Sequence, residues 1–533
     1  MARTPLFSLL QRAARIARAS GHTAQPLDEF YAQGVALRID LRRRRLLQGA
    51  GAGLVLAGCS HLPTPAPIAG DDVVIVGAGI AGLSAAWRLR QAGVGSRIYE
   101  ASNRIGGRMH SLRNHFADGQ VIELGGELID TDHVRIRALA AEMGLTLDDL
   151  LEGDTMQDTW YFDGRAIGER EIVEAFVPVA AAIERDLATI GDGDITWDKP
   201  DNAQALDALS VAQWLDRNGV SGWLRKLIDV AYTTEMGLEL DEQSSLNLLT
   251  FIGTEGDTFE VFGSSDERFH VRGGNDLIVQ GLGERLSGTV ETGSVLEAIR
   301  GRADGYTLSF RRDGATRDVH ARQAILALPF TLLRKVSIDV ELPVHKRRAI
   351  DQLAYGTNAK LMIGFGRRVW NEHDANGALV SDLPLQTTWD TSRKQPGQAG
   401  VLTNFTGGRH GVELGQGTPR QQADAAVAAL DRVFPGAAAA RGDAREARFH
   451  WPSHPWSLGS YACLRPGDWT GLRGAMGETV GGLFFAGEHC ALDTQGFMEG
   501  GCVSGEDAAR AVMAQRGVAT RGWYTRRARA AIA

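Results

Sequence analysis

The stretch VVIVGAGIAG, residues 73–82, decides the fold. A short β-branched apolar run leads directly into the pattern G-x-G-x-x-G, and residues 83–89 continue with helical spacing. A second apolar strand, residues 97–99, ends at Glu100, about 20 residues after the turn. This arrangement predicts an α/β fold with a Rossmann-like βαβ unit that binds a dinucleotide. Glu100, with Ala101 beside it, is placed to accept hydrogen bonds from ribose hydroxyls.

Each position of the glycine-rich turn has a physical task. Gly77 allows the tight turn, and Gly79 lets the backbone approach a pyrophosphate. Gly82 lets the helix pack closely on the strand. Ile80 and Ala81 begin the helix, whose free N–H groups and partial positive charge favour phosphate binding.

Residues 1–59 predict an export leader. The run RRRLL at 43–47 is typical of a twin-arginine signal, and the alternative is a disordered basic arm. The segment LAGC at 56–59 resembles a lipobox, which would leave a lipid anchor on Cys59; the alternative is ordinary cleavage beside an incidental cysteine. Residues 60–70 are rich in proline and predict an extended linker. We therefore expect export by the twin-arginine route to the periplasm, with membrane contact only through that anchor.

The charge balance argues against a nucleic-acid partner. Removal of residues 1–58 would leave 48 basic and 62 acidic residues, a net charge of −14, whereas nucleic acids select basic surfaces. The basic tail, residues 516–533, is expected to be a solvated end. Beyond Cys59 three cysteines remain, which is no disulfide framework, and no C-x-x-C pair or histidine cluster predicts a metal site.

The body of about 460 residues is long enough for two domains. Residues 172–187 and 206–223 have the apolar spacing of helices. Residues 290–319 alternate apolar and polar side chains around two Asp-Gly turns, which predicts antiparallel strands. Residues 481–488 predict a buried strand ending in a Gly-acid turn, and a helix follows over 500–513. We expect this last βα unit to return to the first sheet, which makes the nucleotide-binding domain discontinuous in sequence.

Further motifs follow one another in a family-specific order across residues 71–513, and they resemble the flavin-containing amine oxidases, which include monoamine oxidase, polyamine oxidase and L-amino acid oxidase. The motifs are RIGGR at 104–108, ELGG at 123–126, RGGNDL at 272–277, a W-x(n)-G-x-Y-like segment at 451–467, AGE at 486–488 and GFMEG at 496–500. Lys360 stands where this family has its flavin-facing lysine.

The resemblance implies FAD rather than NAD, and a two-domain architecture. A Rossmann-like FAD-binding domain is expected from residues 71–150, 265–340 and 450–515. An α+β substrate-binding domain is expected from residues 151–264 and 341–449. Beyond the fingerprint, the resemblance assigns cofactor binding to Arg104, Gly106, Gly107, Arg108, Gly125, Gly126, Glu127, Gly487, Glu488, Gly496, Phe497 and Met498. The helix that begins near Met498 would aim its N-terminal N–H groups at the negative charge of the reduced flavin.

Three residues are implied to carry catalysis. Lys360 would hold a water at flavin N5, and Tyr461 and Phe497 would place aromatic rings on either side of the amine. The alternatives are a surface lysine on a strand edge and aromatic side chains that only fill a core. Phe497 replaces the usual tyrosine of this family. Ser460 stands where monoamine oxidases have the cysteine bonded to FAD, so we expect non-covalent FAD.

The expected reaction is oxidation of an amine to an imine, then aldehyde or ketone, with the reduced flavin reoxidised by O2 to give H2O2. Alternatives are an L-amino acid oxidase of the same fold, an amine dehydrogenase that uses a periplasmic electron carrier, and a non-enzymatic FAD-binding lipoprotein. Asp130 falls near an acid with which polyamine oxidases hold a distal ammonium, which favours an amine without a carboxylate, although a surface acid is the alternative. Candidate arginines for a substrate carboxylate are Arg135, Arg137, Arg268 and Arg272.

Overall fold

A computed structural model describes residues 73–191, 193–251 and 265–519. The predicted leader with its twin-arginine run and Cys59, the linker, and the tail beyond 519 lie outside the described residues. Within the described part, no helix has both the length and the apolar character that crossing a bilayer requires.

A five-stranded parallel sheet carries the fingerprint at its centre. Its strands, in order across the sheet, are Leu483–Phe485, Gln323–Leu326, Val73–Val76, Arg97–Tyr99 and Val290–Glu291. The central strand is wholly buried, because helices cover both faces of such a sheet, and this explains its unbroken apolar run. The strand near the chain end pairs in parallel with Gln323–Leu326, so the predicted return of the last βα unit to the first sheet is confirmed.

Two helices from opposite ends of the chain pack together on this sheet. Ile80–Gln91 follows the glycine turn, and Met498–Gln515 follows the last strand. Their buried side chains form one apolar core with those of Val134–Met143 and Asp276–Arg285. The architecture is therefore the predicted α/β fold with a Rossmann-like parallel sheet, while the domain boundaries stay a prediction.

A second sheet contains the predicted antiparallel strands. Its order is Ala315–Ala321, Gly305–Arg312, Val295–Arg302 and Ser337–Asp339, of which the last pairs in parallel. Residues 290–291, at the start of the predicted antiparallel stretch, lie instead at the edge of the parallel sheet. Turn residues at 292–294 separate them from the hairpins. The alternating pattern of the sequence therefore covers strands that belong to two different sheets.

A seven-stranded mixed sheet forms the other half of the molecule. Its order is Glu446–His450, Ala359–Phe365, Gly400–Thr406, Thr387–Asp390, Ala375–Ser381, Gln157–Phe162 and Arg165–Ala166. The strand that carries Lys360 pairs with neighbours on both sides and is buried along its whole length. Three two-stranded pairs complete the strands: Ser111–Leu112 with Ile122–Glu123, Leu147–Asp149 with Phe269–Val271, and Ala354–Tyr355 with Ala462–Cys463.

Helical predictions in this half are partly confirmed. Residues 172–187 lie in the helix Glu169–Leu187. The helical spacing over 206–223 is confirmed in separate helices rather than one, because the chain turns twice there. Ser210 and Gln213 form a reciprocal capping box that restarts the helix, and Gly219 adopts φ 68° in the second turn. The remaining α-helices are Gln204–Asp207, Val211–Arg217, Gly222–Met236, Ser245–Phe251, Phe330–Leu333, Val344–Gln352, Gly408–Glu413, Pro419–Leu430 and Ala437–Arg441.

Candidate active site

One cavity of about 530 Å³ opens at the carboxyl ends of four parallel strands and continues to the seven-stranded sheet. In open α/β sheets this edge is where ligands bind. Every residue that the sequence assigned to cofactor binding or catalysis lines the cavity, except Gly82. The cavity therefore brings together stretches from residue 76 to residue 501 of the chain.

The glycine turn combines a strained backbone with open space. Gly77 has φ 102°, and a Cβ there would lie 2.3 Å from the Ala327 carbonyl oxygen. Gly79 lines the cavity, and among the described residues a Cβ there would meet only the Gly107 Cα, at 4.0 Å. At Gly82 a Cβ would lie 2.0 Å from the Gly77 oxygen, so this residue serves helix packing and does not touch the cavity. Of these three glycines, Gly79 is the one at which the protein itself leaves room for a Cβ.

Glu100 is buried at the end of its strand and fixes the loops around it. Its Oε2 accepts a hydrogen bond from the Ala78 N–H at 2.7 Å, and its Oε1 accepts one from the Ser102 N–H at 2.8 Å. A carboxylate has about four acceptor positions, so these two bonds leave capacity for ligand hydroxyls. The carboxylate therefore holds the glycine turn in place and also faces the cavity.

Two arginines tie the separate motifs together. Arg104 donates to the Gly107 carbonyl at 2.6 Å, while the Gly106 N–H donates to Ala78 O at 2.8 Å. Arg108 donates to Glu488 Oε1 at 2.8 Å and to the Ser460 carbonyl at 2.7 Å. The loop at 104–108 is thus joined to the glycine turn and to both C-terminal motifs.

Glu488 is the acceptor centre of the AGE motif. Besides Arg108 it accepts the N–H groups of Gly496 at 2.8 Å and Ala462 at 3.1 Å. Burial alone would raise the pKa of Glu488, but the Arg108 charge and the hydrogen bonds outweigh it and hold that pKa below its ordinary value. Glu488 is therefore ionised at neutral pH.

Lys360 is buried, with 3 % of its surface exposed, and it has a complete set of acceptors. Its ammonium donates to Glu127 Oε2 at 2.7 Å, to the Gly125 carbonyl at 2.8 Å and to the Glu123 carbonyl at 3.3 Å. An ammonium group has three N–H donors, so all of them have protein partners. The alternative of a surface lysine is wrong.

Glu127 is the counterion of that lysine, which the sequence did not reveal. Its Oε1 accepts a hydrogen bond from the Trp389 indole N–H at 2.8 Å and another from the Thr391 hydroxyl. Burial alone would raise the pKa of Glu127, but Lys360 and these donors outweigh it and lower that pKa. The two residues form a buried ion pair at the wall of the cavity, with both partners hydrogen-bonded.

Tyr461 and Phe497 belong to one small apolar cluster at the lysine side of the cavity. Both are nearly buried, and the other members of the cluster are Leu128, Leu150, Trp389 and Phe405. The Tyr461 hydroxyl donates to the Thr234 carbonyl at 3.1 Å. The His133 ring packs edge-on against Phe497, with 4.9 Å between centroids.

The helix Met498–Gln515 begins at the cavity wall, as its motif predicts. Among the described residues no side chain caps its first turn, and the free N–H groups of a helix N-terminus favour an anionic ligand. Gly500 lies in this first turn. A Cβ there would lie 2.1 Å from the Thr494 carbonyl, so Gly500 permits chain packing rather than ligand approach.

Comparison with known proteins identifies the family. A sequence model of the family described as flavin containing amine oxidoreductase matches residues 80–513. The chain belongs to this family. It is 25 % identical to a flavin-containing amine oxidase from Danio rerio over 462 residues, which is 84 % of this chain and 86 % of that one. It is 26 % identical to an L-amino acid dehydrogenase from Synechocystis sp. over 486 residues, 86 % of this chain and 99 % of that one.

The fold is also that of a solved relative. Cyclohexylamine oxidase from Brevibacterium oxydans IH-35A superposes with a TM-score of 0.74 at 24 % identity, covering 84 % of this chain and 99 % of that structure. This flavin amine oxidoreductase is therefore an enzyme with a flavin cofactor and a small-molecule amine substrate. The cavity fits that cofactor, because Gly79 leaves open the space that a pyrophosphate needs.

The residues considered for substrate charge lie elsewhere. Asp130 is buried rather than on the surface, and it does not line the cavity; its Oδ1 accepts the Glu267 N–H at 2.8 Å. Ligand atoms of Asp130, Asp132 and His133 lie within 4.8 Å of one another, but His133 Nδ1 already accepts the Asp130 N–H, and we assign no ion there. Among the candidate arginines, Arg268 is bidentate with Asp149.

Sequence reasoning missed several residues of the cavity wall. They include Asn358, Phe405, Trp451, Trp456 and His489. Three of them had a sequence signal: Trp451 and Trp456 lie in the W-x(n)-G-x-Y-like segment, and His489 directly follows the AGE motif.

Proposed function

We propose that this protein binds FAD non-covalently and oxidises a primary or secondary amine that carries no carboxylate. The observation that carries the proposal is the single cavity that joins the glycine turn to Lys360, Tyr461 and Phe497. When bound, FAD supplies the two-electron oxidation of the amine to an imine, and its reduced form passes the electrons to O2 to give H2O2. Water then hydrolyses the imine to an aldehyde or ketone.

The residues that would hold FAD are those of the glycine turn, Glu100, the loop 104–108 and the first turn of the helix Met498–Gln515. Glu100 keeps acceptor capacity for ribose hydroxyls, and Gly79 leaves space for the pyrophosphate. The uncapped helix start supports negative charge on the cofactor.

Lys360 is proposed to face the flavin and to order a water there. Its bond to the Glu123 carbonyl, at 3.3 Å, is the longest of its three and the one that a water replaces at the smallest cost. Glu127 keeps the ammonium charged and oriented. Tyr461 and Phe497 exclude water and guide the neutral amine between their rings.

The proposal favours an amine over an amino acid because two of the candidate arginines are engaged. Arg268 is paired with Asp149, and the exposed Arg272 is paired with Asp148 at 2.6 Å. The second candidate remains an L-amino acid dehydrogenase or oxidase, which the likeness to the Synechocystis protein supports.

Non-covalent attachment is supported by Ser460, whose hydroxyl donates to Asn358 Oδ1 at 2.7 Å. The neighbouring Cys463 is fully buried outside the cavity lining, and burial raises the pKa of its thiol, which disfavours the reactive thiolate. Acid precipitation should release all FAD into the supernatant. A yellow pellet whose flavin maps to a peptide would contradict this.

Anaerobic mixing with a panel of amines and amino acids tests the reaction. Bleaching of the flavin by amines, and not by L-amino acids, is expected, followed by recovery of colour and one H2O2 per turnover when O2 is admitted. Bleaching by L-amino acids alone would favour the second candidate, and recovery only with an added electron carrier would identify a dehydrogenase. Lys360→Met should slow bleaching or recovery while FAD stays bound.

We also propose twin-arginine export and a lipid anchor at Cys59, on the strength of the sequence motifs. Arg43→Lys with Arg44→Lys should retain the folded protein inside the cell, and Cys59→Ala should leave it uncleaved or unanchored. Mass spectrometry that finds an unmodified N-terminus elsewhere in the exported protein would contradict the anchor.

A further inference from the structure

Asn358 belongs to the cavity wall, but the proposed reaction does not use it. None of its surface is exposed, so its carboxamide can act only through the residues around it. Its Nδ2 donates to the Thr234 carbonyl at 2.8 Å, and its Oδ1 accepts from the Ser460 hydroxyl at 2.7 Å. Because a carbonyl oxygen can only accept, the amide nitrogen faces Thr234 and the amide oxygen faces Ser460.

The two partners of Asn358 also hold Tyr461. The Tyr461 hydroxyl donates to the same Thr234 carbonyl, at 3.1 Å. Thr234 lies in the last turn of the helix Gly222–Met236, where carbonyls have no N–H partner within the helix and can accept from side chains. Ser460 directly precedes Tyr461 in the chain. The carboxamide therefore bonds both the acceptor at the tip of the tyrosine ring and the residue next to its backbone.

Two glycines leave room for this carboxamide. A Cβ at Gly237 would lie 2.2 Å from Asn358 Oδ1, and one at Gly356 would lie 2.9 Å from the same atom. The Gly356 N–H also donates to the Tyr461 carbonyl at 2.8 Å, and the Gly356 carbonyl accepts the Ser460 N–H at 2.9 Å. One short segment of chain thus holds the tyrosine through its backbone and through an asparagine side chain.

We infer that Asn358 is a positioning residue, which fixes the orientation of the Tyr461 ring at the amine site. It acts through the Thr234 carbonyl and the Ser460 hydroxyl. The inference rests on the proposed function, in which Tyr461 forms one wall of the amine site. A ring that is free to rock presents the amine at a varying distance from the reacting atom, and such misplacement lowers the rate of the chemical step.

A double-mutant cycle on flavin reduction tests the assignment. Asn358→Leu removes both hydrogen bonds with little change in size, and Tyr461→Ala removes the ring that they position. Reduction is followed by anaerobic stopped flow at saturating FAD, with a saturating concentration of the panel amine that bleaches wild type fastest. We expect Asn358→Leu to lower the limiting rate by about tenfold in wild type, but by less than about twofold in the Tyr461→Ala background. Residues that acted independently would give the same fold-change in both backgrounds.

Asn247 provides the matched control, because it is also buried and makes the same pair of bonds. Its Nδ2 donates to the Leu464 carbonyl at 2.9 Å, and its Oδ1 accepts the Trp469 indole N–H at 2.7 Å. These three residues lie outside the cavity lining, so Asn247→Leu should leave the limiting rate within about twofold of wild type.

Three results would overturn the inference. They are a limiting rate of Asn358→Leu within about twofold of wild type, a loss as large in the Tyr461→Ala background as in wild type, and an equal loss in Asn247→Leu. Asn358→Ala, which is smaller and adds no clash, takes the same place in the cycle if Asn358→Leu does not fold. If no amine bleaches the wild-type flavin, the proposed function fails and the inference with it.

Discussion

The cavity has two ends that are built in different ways. The glycine end, formed by Gly77, Gly79 and the loop 104–108, presents backbone and open space. The lysine end, formed by Glu127, Lys360 and Trp389, consists of buried side chains whose hydrogen bonds are met within the protein. Added side-chain volume should therefore impair ligand binding at the glycine end. Loss of a hydrogen-bonding partner should impair stability at the lysine end.

The largest effect is expected from added volume at the glycine end. Gly79→Val should weaken FAD binding by at least about 100-fold, because its branched side chain fills the space assigned to the pyrophosphate. Urea unfolding should change little, since among the described residues a Cβ there meets only the Gly107 Cα, at 4.0 Å. Gly168→Val is the control, because a Cβ at Gly168 meets nothing within 4 Å and the residue lies outside the cavity. Full flavin occupancy in Gly79→Val would break the comparison.

A lost partner at the lysine end should instead lower stability. Lys360→Met leaves the buried Glu127 without its cation, and we expect a cost of about 3–5 kcal/mol in the free energy of unfolding. Lys360→Met combined with Glu127→Gln should recover part of it, because the uncompensated charge is gone. Lys226→Met, at an exposed pair with Asp382, should cost less than about 1 kcal/mol. Equal losses in the two single variants, measured by urea unfolding, would contradict the distinction.

The pH dependence of stability should report on His489, which is fully buried. Its folded pKa of about 4 lies below the ordinary 6.5, so the unfolded chain binds the extra proton first as pH falls. Stability should therefore be intact above pH 6.5 and decline towards pH 4, by about 3 kcal/mol from this group alone. His489→Phe should lack that component. The difference in the free energy of unfolding between the variant and wild type should therefore shrink as pH rises from 4 to 6.5. A difference that is constant with pH would contradict it.

The smallest effect is expected where the lysine end gains an atom without losing a partner. Phe497→Tyr adds one hydroxyl to a ring that His133 already contacts, and stopped-flow flavin reduction should stay within about threefold of wild type.

Tyr461→Ala, which removes a wall of the cavity, should slow reduction by about 100-fold through mispositioning of the amine. A ranking in the opposite order would place the aromatic site elsewhere.

The structure of the glycine end could be predicted from the sequence alone. A strand, a turn that needs glycine at Gly77, and a helix are neighbours in the chain, and local backbone geometry alone fixes their arrangement. The order of the later motifs then gave the family and the return of the last strand to the first sheet. Each of those motifs except RGGNDL at 272–277 contributes residues to the same cavity.

The contacts at the lysine end could be seen only in the tertiary structure. Glu127 and Lys360 are 233 positions apart, and nothing in either local sequence shows that one is the counterion of the other. The break of the predicted helix 206–223 at Ser210 has the same origin. Each depends on which distant side chains and carbonyls the fold brings within about 3 Å, a distance that periodicity and spacing do not encode.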